Sequence, residues 1–146
     1  MTMINQLLKA KGPRYFSVRA DETVYSAIKK MGEKDIGSVL VMEGATLVGI
    51  LTERDYARNV ALKGKSSTRT LVGDIMSTQV AYIGPDDTVE KSLALMTEKR
   101  VRYLPVVQDG AVVGVVSIGD LVKSTIGDQR IAIDQLETYC HGASMH

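Results

Sequence analysis

Displaced by 65 residues, the chain lies over itself. Phe16 to Arg58 aligns with Ala81 to Lys123 without a gap, and ten of the 43 pairs are identical. They include Asp21/Asp86, Thr23/Thr88, Val24/Val89, Met31/Met96, Val48/Val113, Gly49/Gly114 and Asp55/Asp120. A duplicated unit this small buries its apolar face against its sibling, so the fold is a pair, and a site built in one copy has a twin in the other. The division that follows is an N-terminal segment at 1–15, a first repeat at 16–62, a linker at 63–79, a second repeat at 80–126, and a C-terminal helix and tail at 127–146.

The 146 residues, 45% apolar and 24% charged, suit one globular module. Eighteen basic residues against 17 acidic ones leave a net charge of +1, without the basic excess of a protein held to nucleic acid by phosphate contacts. Cys140 is the sole cysteine, which excludes an intramolecular disulfide and agrees with a reducing compartment. The run Ile4 to Leu8 contains Asn5 and Gln6 and is too short for a signal sequence or a membrane span. These features point to a cytoplasmic protein with no membrane contact.

Each copy reads as strand, helix, strand, strand, helix, giving an α+β fold. After Ser17 and Val18, Asp21 or Thr23 can cap a helix that carries Val24, Ala27, Ile28 and Met31 on one face; Asp86, Thr88, Val89, Leu93 and Met96 repeat the pattern. Val39–Met42 and Thr46–Leu51 form one hairpin, and Leu104–Val107 and Ala111–Val116 form a second around Asp109-Gly110. Lys63 to Thr70 reads as a mobile linker. A helical pattern runs from Asp120 past Gly127 through Ile133, Leu136 and Tyr139. It can cover its own module or pack on a second copy, and periodicity alone does not choose.

Each hairpin is followed by the same arrangement: Gly49-Ile50-Leu51-Thr52-Glu53-Arg54-Asp55, then Gly114-Val115-Val116-Ser117-Ile118-Gly119-Asp120. A hydroxyl and a carboxylate three residues apart at a strand-to-helix junction suit a nucleotide. The helix start favours an anion, the hydroxyl can donate to phosphate, and the ionised acid accepts from ribose hydroxyls. Gly49 and Gly114 leave room for a ligand beside the backbone. The same spacing is that of a capping box, in which both side chains serve only the helix's own N–H groups. Recurrence at one offset in both copies favours the ligand.

These residues resemble the tandem cystathionine-β-synthase (CBS) domain pair, or Bateman module. The resemblance runs from about Phe16 to Lys123 and rests on Asp-Asp-Thr-Val at 86–89, Gly-Ser-Val-Leu-Val at 37–41, Arg-Tyr-Leu-Pro-Val-Val at 102–107 and the two hydroxyl-x-x-Asp segments. It implies two pseudo-symmetric repeats packed sheet to sheet, with clefts between them for adenosyl compounds such as AMP, ADP, ATP, S-adenosylmethionine, NAD or NADH. By that likeness Asp55 and Asp120 hold ribose and Thr52 and Ser117 hold phosphate. Backbone near Tyr15, Phe16 and Ser17 and from Val80 to Tyr82 faces adenine, and Ser38, Tyr103 and Pro105 complete the ligand set. Tyr103 can line a base pocket or merely pack on strand neighbours. The likeness also places Arg54 and Arg102 at the Ser117/Asp120 cleft, making it the tighter phosphate site; otherwise both are solvated charges worth little.

No nucleophile with its base, no paired catalytic carboxylates and no metal-ligand spacing is present in the sequence. His141 and His146 lie with Cys140 in a terminal tail expected to be disordered. The reading is a non-catalytic adenine-nucleotide sensor without a catalytic cofactor, expected as a homodimer that acts on an unidentified effector protein in trans. Two other classes stay open: a structural interaction module, and a nucleic-acid binder using Arg54, Arg58, Lys63, Lys65 and Arg69. An enzyme hydrolysing its nucleotide is the remaining alternative.

Overall fold

The computed structural model describes residues 2–11 and 15–144. Its helices start where threonine can cap them. Helix α2 (Val24–Lys34) has Thr23 Oγ1 accepting from Ser26 N at 3.2 Å, and α5 (Val89–Lys99) has Thr88 Oγ1 accepting from Lys91 N at 3.1 Å. Both buried faces follow the 3.6-residue period, as Val24, Ala27 and Met31 and as Val89, Ser92 and Met96. Ser92 Oγ donates to Thr88 O at 2.9 Å, so the one hydroxyl among these residues is satisfied. A carboxylate closes the turn ahead of each helix: Glu22 Oε2 accepts from Arg19 N at 2.6 Å and Asp87 Oδ2 from Gly84 N at 2.7 Å.

In the first repeat β1 (Ser17–Val18) runs parallel to β2 (Ser38–Glu43), which pairs antiparallel with β3 (Thr46–Thr52). The second repeat pairs β4 (Tyr103–Gln108) antiparallel with β5 (Ala111–Ser117). Its first strand shrinks to a parallel bridge, Ile83 to Val106, the counterpart of Val18 to Val41. Even the irregularity recurs, between Val41 and Met42 and between Val106 and Val107. At the second hairpin Asp109 and Gly110 both take positive φ, 52° and 79°, as a type I′ turn requires.

Alternation along the strands sorts their residues into two layers. Val39, Val41 and Leu51 are buried with Val24, Ala27 and Met31 of α2, while Leu104, Val106 and Val116 are buried with Val89 and Met96 of α5. The opposite faces meet each other: Leu40, Met42 and Ile50 pack with Val80, Tyr103, Val112 and Val115. The sheets therefore lie face to face, as the resemblance implies.

Each repeat is completed by the segment that precedes the other. The short helix α1 (Ile4–Lys11) buries Ile4 and Leu8 in the second repeat, and α4 (Val72–Ile75) buries Val72 and Ile75 in the first. This exchange corrects the expectation that Gly49 and Gly114 make room for a ligand. A β-carbon on Gly49 would stand 2.7 Å from Met76 Sδ and 2.9 Å from Ser77 O, and one on Gly114 would stand 2.7 Å from Leu8 Cδ2. Glycine is needed there because the exchanged segments lie against the strands.

Lys63 to Thr70 is likewise anchored, although it was expected to be mobile. Val24 N donates to Thr70 O and Tyr25 N to Ser67 O, each at 2.8 Å, which supplies partners to the first turn of α2. After β3 come α3 (Glu53–Tyr56) and a π-helical turn over Ala57–Ala61; after β5 comes the long α6 (Ile118–Ser144). Ile126, Ile133 and Leu136 are 45%, 53% and 64% exposed, so this part of α6 does not cover its own module. The side chains of Tyr139, Cys140 and His141, and all of His146, lie outside the described residues. Among the described residues no helix is long and apolar enough to cross a membrane.

Candidate functional site: an inter-repeat cavity at the Thr52 cap

Both hydroxyl-x-x-Asp segments form complete capping boxes. Thr52 Oγ1 accepts from Asp55 N at 3.1 Å while Asp55 Oδ2 accepts from Thr52 N at 3.0 Å. Ser117 Oγ and Asp120 Oδ2 do the same at 3.1 and 2.9 Å. Capping does not exhaust the groups of the first box. A carboxylate has two oxygens, and Asp55 Oδ1 carries no hydrogen bond among the described residues. The Thr52 hydroxyl accepts from the backbone and keeps its proton to donate elsewhere.

Thr52 and Asp55 open into a cavity of about 340 Å³ between the repeats. Ile50, Glu53, Arg54 and Arg58 line it from the first repeat, together with Gly37. The second repeat contributes Lys99, Arg100, Val101, Arg102 and Tyr103, and Ser77, Gln79, Val80 and Ala81 close it from the chain between the hairpins. Arg54 also spans the repeats, with Nη1 donating to Arg100 O at 3.3 Å. Arg100 itself ends α5 in the left-handed region at φ 55°.

Tyr103 reaches the cavity because residue 37 is glycine. A β-carbon on Gly37 would sit 2.0 Å from the Tyr103 hydroxyl oxygen, so any side chain there displaces the ring. Burial raises the Tyr103 phenol above its ordinary value, and the nearby Glu53 charge adds to this, with Arg102 opposing. It is therefore a neutral O–H donor at physiological pH.

Six of the residues singled out in the sequence thus meet at one place: Thr52, Arg54, Asp55, Val80, Arg102 and Tyr103. Arg54 and Arg102, which the resemblance places at the Ser117/Asp120 cleft, line the Thr52/Asp55 cavity. Arg102 touches both regions, since its carbonyl accepts from Ile118 N at 2.8 Å beside the second cap. The remaining residues lie elsewhere. Ser117 and Asp120 form the second cap, and Ser38 is buried in β2 opposite Thr52. Pro105 is buried in β4 opposite Val115, and Tyr82 is 63% exposed. Phe16 packs on the first core under Lys34 Nζ, 5.4 Å from its ring centre, while Ser17 O accepts from Lys30 Nζ at 2.7 Å.

Lys99 and Arg100 were not singled out in the sequence, and Arg58 was considered only for nucleic acid. Their signals were present: Arg58 follows Arg54 by one helical turn, and Lys99-Arg100 lies just ahead of Arg102. Among the described residues no group of three histidine, cysteine, aspartate or glutamate side chains can hold a metal.

The profile of the CBS domain matches residues 12–62 and 72–127. The mitochondrial CBS domain-containing protein CBSX3 of Arabidopsis thaliana is 36% identical over 150 residues, 97% of this chain and 73% of that protein. A solved protein with CBS domains from Burkholderia ambifaria is 48% identical with a TM-score of 0.84, covering 88% of this chain and 96% of its own. The CBS domain pair of protein MJ0100, in complex with 5′-methylthioadenosine and S-adenosyl-L-methionine, shares the fold at 24% identity. Its TM-score is 0.77 over 88% of this chain and 98% of its own. This chain belongs to the CBS-domain family and carries two CBS domains in tandem.

Proposed function

We propose that the protein is a non-catalytic sensor of an adenosyl nucleotide, of the AMP, ADP, ATP or NAD type, bound in the Thr52/Asp55 cavity. The observation that carries this reading is one carboxylate, fixed by its own cap through one oxygen, facing a cavity shared by both repeats and rimmed by basic side chains. Asp55 Oδ1 suits ribose hydroxyls, Thr52 and Tyr103 can donate hydrogen bonds, and the arginines suit phosphate. The adenosyl ligands of the MJ0100 pair agree with this chemistry.

A ligand that contacts both repeats favours the packing in which those contacts are best; one that bound two packings equally would shift neither. The output then passes to an effector protein in trans, from a homodimer in a reducing, cytoplasm-like compartment. Thermal denaturation with adenosine, AMP, ADP, ATP, NAD, NADH and S-adenosylmethionine tests the reading. A binding ligand at 100 times its dissociation constant adds about 2.7 kcal/mol of stability. No shift with any member of the panel would favour the second reading, a ligand-free interaction module, which the two complete capping boxes support.

A further inference from the structure

Five basic side chains line the cavity, those of Arg54, Arg58, Lys99, Arg100 and Arg102, against two acidic ones, Glu53 and Asp55. A strand-to-helix junction of this fold does not fix where such cations stand, and the duplication supplies the comparison. At the equivalent positions 65 residues away stand Gly119, Lys123, Lys34, Asp35 and Gly37. Two of the five cations persist there, two are replaced by glycine and one by an acid, while Arg102 and Arg14 stand at the counterparts of Gly37 and Gln79, so the cations are rearranged although both capping boxes close with the same geometry.

Arg100 makes the contrast sharper. It and Asp35 occupy the same left-handed helix end, at φ 55° and 54°. Aspartate tolerates that conformation and arginine has no local reason to favour it, so a non-glycine residue held there points to use rather than to folding. All five cations are exposed, and the described residues place no carboxylate within ion-pair distance of them. Charge gathered around a cavity without anionic partners is charge available to a ligand.

We propose that the cavity selects for phosphate number, taking adenosine di- and triphosphates in preference to the monophosphate or the nucleoside. Arg58, Lys99 and Arg100 act as specificity-determining residues. The inference rests on the adenosyl reading of the same cavity and adds the ligand's charge to it. Each further phosphate meets further cations, and charge-assisted hydrogen bonds are about twice as strong as neutral ones.

Calorimetric titration of the full chain with adenosine, AMP, ADP, ATP and inorganic tripolyphosphate, in EDTA at 50 and 200 mM salt, provides the test. The expected result is at least a tenfold rise in affinity from AMP to ATP, with the stronger salt dependence for ATP. Arg58→Ala and Lys99→Ala, both at exposed positions, should narrow that ratio, Arg58→Lys should restore it, and Lys29→Ala on α2 should leave it unchanged. AMP binding as tightly as ATP would overturn the charge selection while leaving the adenosyl reading intact. Tripolyphosphate binding as tightly as ATP would support the charge selection and overturn the adenosyl reading. An absence of binding by all five would overturn both.

Discussion

Thr52 and Ser117 begin equivalent helices, each closed by the same reciprocal pair of hydrogen bonds at 2.9 to 3.1 Å, and the first stands in a cavity lined by arginine and lysine. What the two copies share is what folding needs: a cap at the strand end, a helix ending in the left-handed region, and a hairpin with one irregular step. What they do not share is where the charges stand: Arg54, Arg100 and Arg102 of the cavity correspond to Gly119, Asp35 and Gly37, while its Gly37 and Gln79 correspond to Arg102 and Arg14. A residue present in one copy and dispensed with in the other, at the same backbone position, is free of the fold's demands and open to assignment to function. The contrast also separates the two carboxylates, since Asp55 faces the cavity while Asp120 does not line it.

The largest expected effect breaks the apparent independence of the copies. Ile4 precedes the first repeat but is fully buried in the second, so Ile4→Ala should destabilise the protein by about 2 to 5 kcal/mol. Hydrogen exchange should show protection falling in β4 and β5 before β2 and β3; the opposite order would contradict the exchange of segments. A smaller effect sharpens the shared part. Thr52→Ala and Ser117→Ala should each cost about 1 kcal/mol in urea denaturation, while nucleotide affinity falls for Thr52→Ala alone.

Smaller again, Arg100→Gly should raise stability by up to about 1 kcal/mol, because glycine accepts the left-handed conformation. The same variant should weaken ATP binding, a gain and a loss that Asp35→Gly would not combine. The smallest effect concerns Asp87, whose carboxyl is held below its ordinary value by the Gly84 N–H and then by Lys91. A lowered folded-state pKa gives stability that is present above the unfolded value near 4 and is lost as pH falls through the folded one. Asp87→Asn should therefore be less stable at neutral pH by about 1 kcal/mol or less, the scale of an exposed pair. Its deficit should vanish in strong acid.

The strands, both long helices and both hairpins were legible because the 65-residue repeat displays each pattern twice. Thr23 and Thr88, Asp109-Gly110 and the two hydroxyl-x-x-Asp segments act within a few residues of themselves, where sequence distance and spatial distance agree. Legibility failed where they part. Nothing near Gly49 or Gly114 announces that Met76 and Leu8 will press on them, since those side chains arrive from the segments that precede the opposite repeat. Arg54 and Arg102 read as a pair in the sequence, but which junction they face depends on how the sheets meet, and both line the Thr52/Asp55 cavity. The exposed face of α6 shows the remaining limit: Ile133 and Leu136 fit a helical stripe, and the stripe does not reveal that the module leaves them uncovered.

If the capping carboxylate of the first copy serves a ligand as well as its helix, its charge and its second oxygen matter to binding and not to the cap. Replacing aspartate by asparagine tests it most directly, since the amide keeps an oxygen for the cap and removes the charge and the second acceptor. Titration of ATP into Asp55→Asn and Asp120→Asn side by side should show an affinity loss of about tenfold or more in the first, equivalent to about 1.4 kcal/mol, and little change in the second. Equal losses, or a larger loss in Asp120→Asn, would contradict the account.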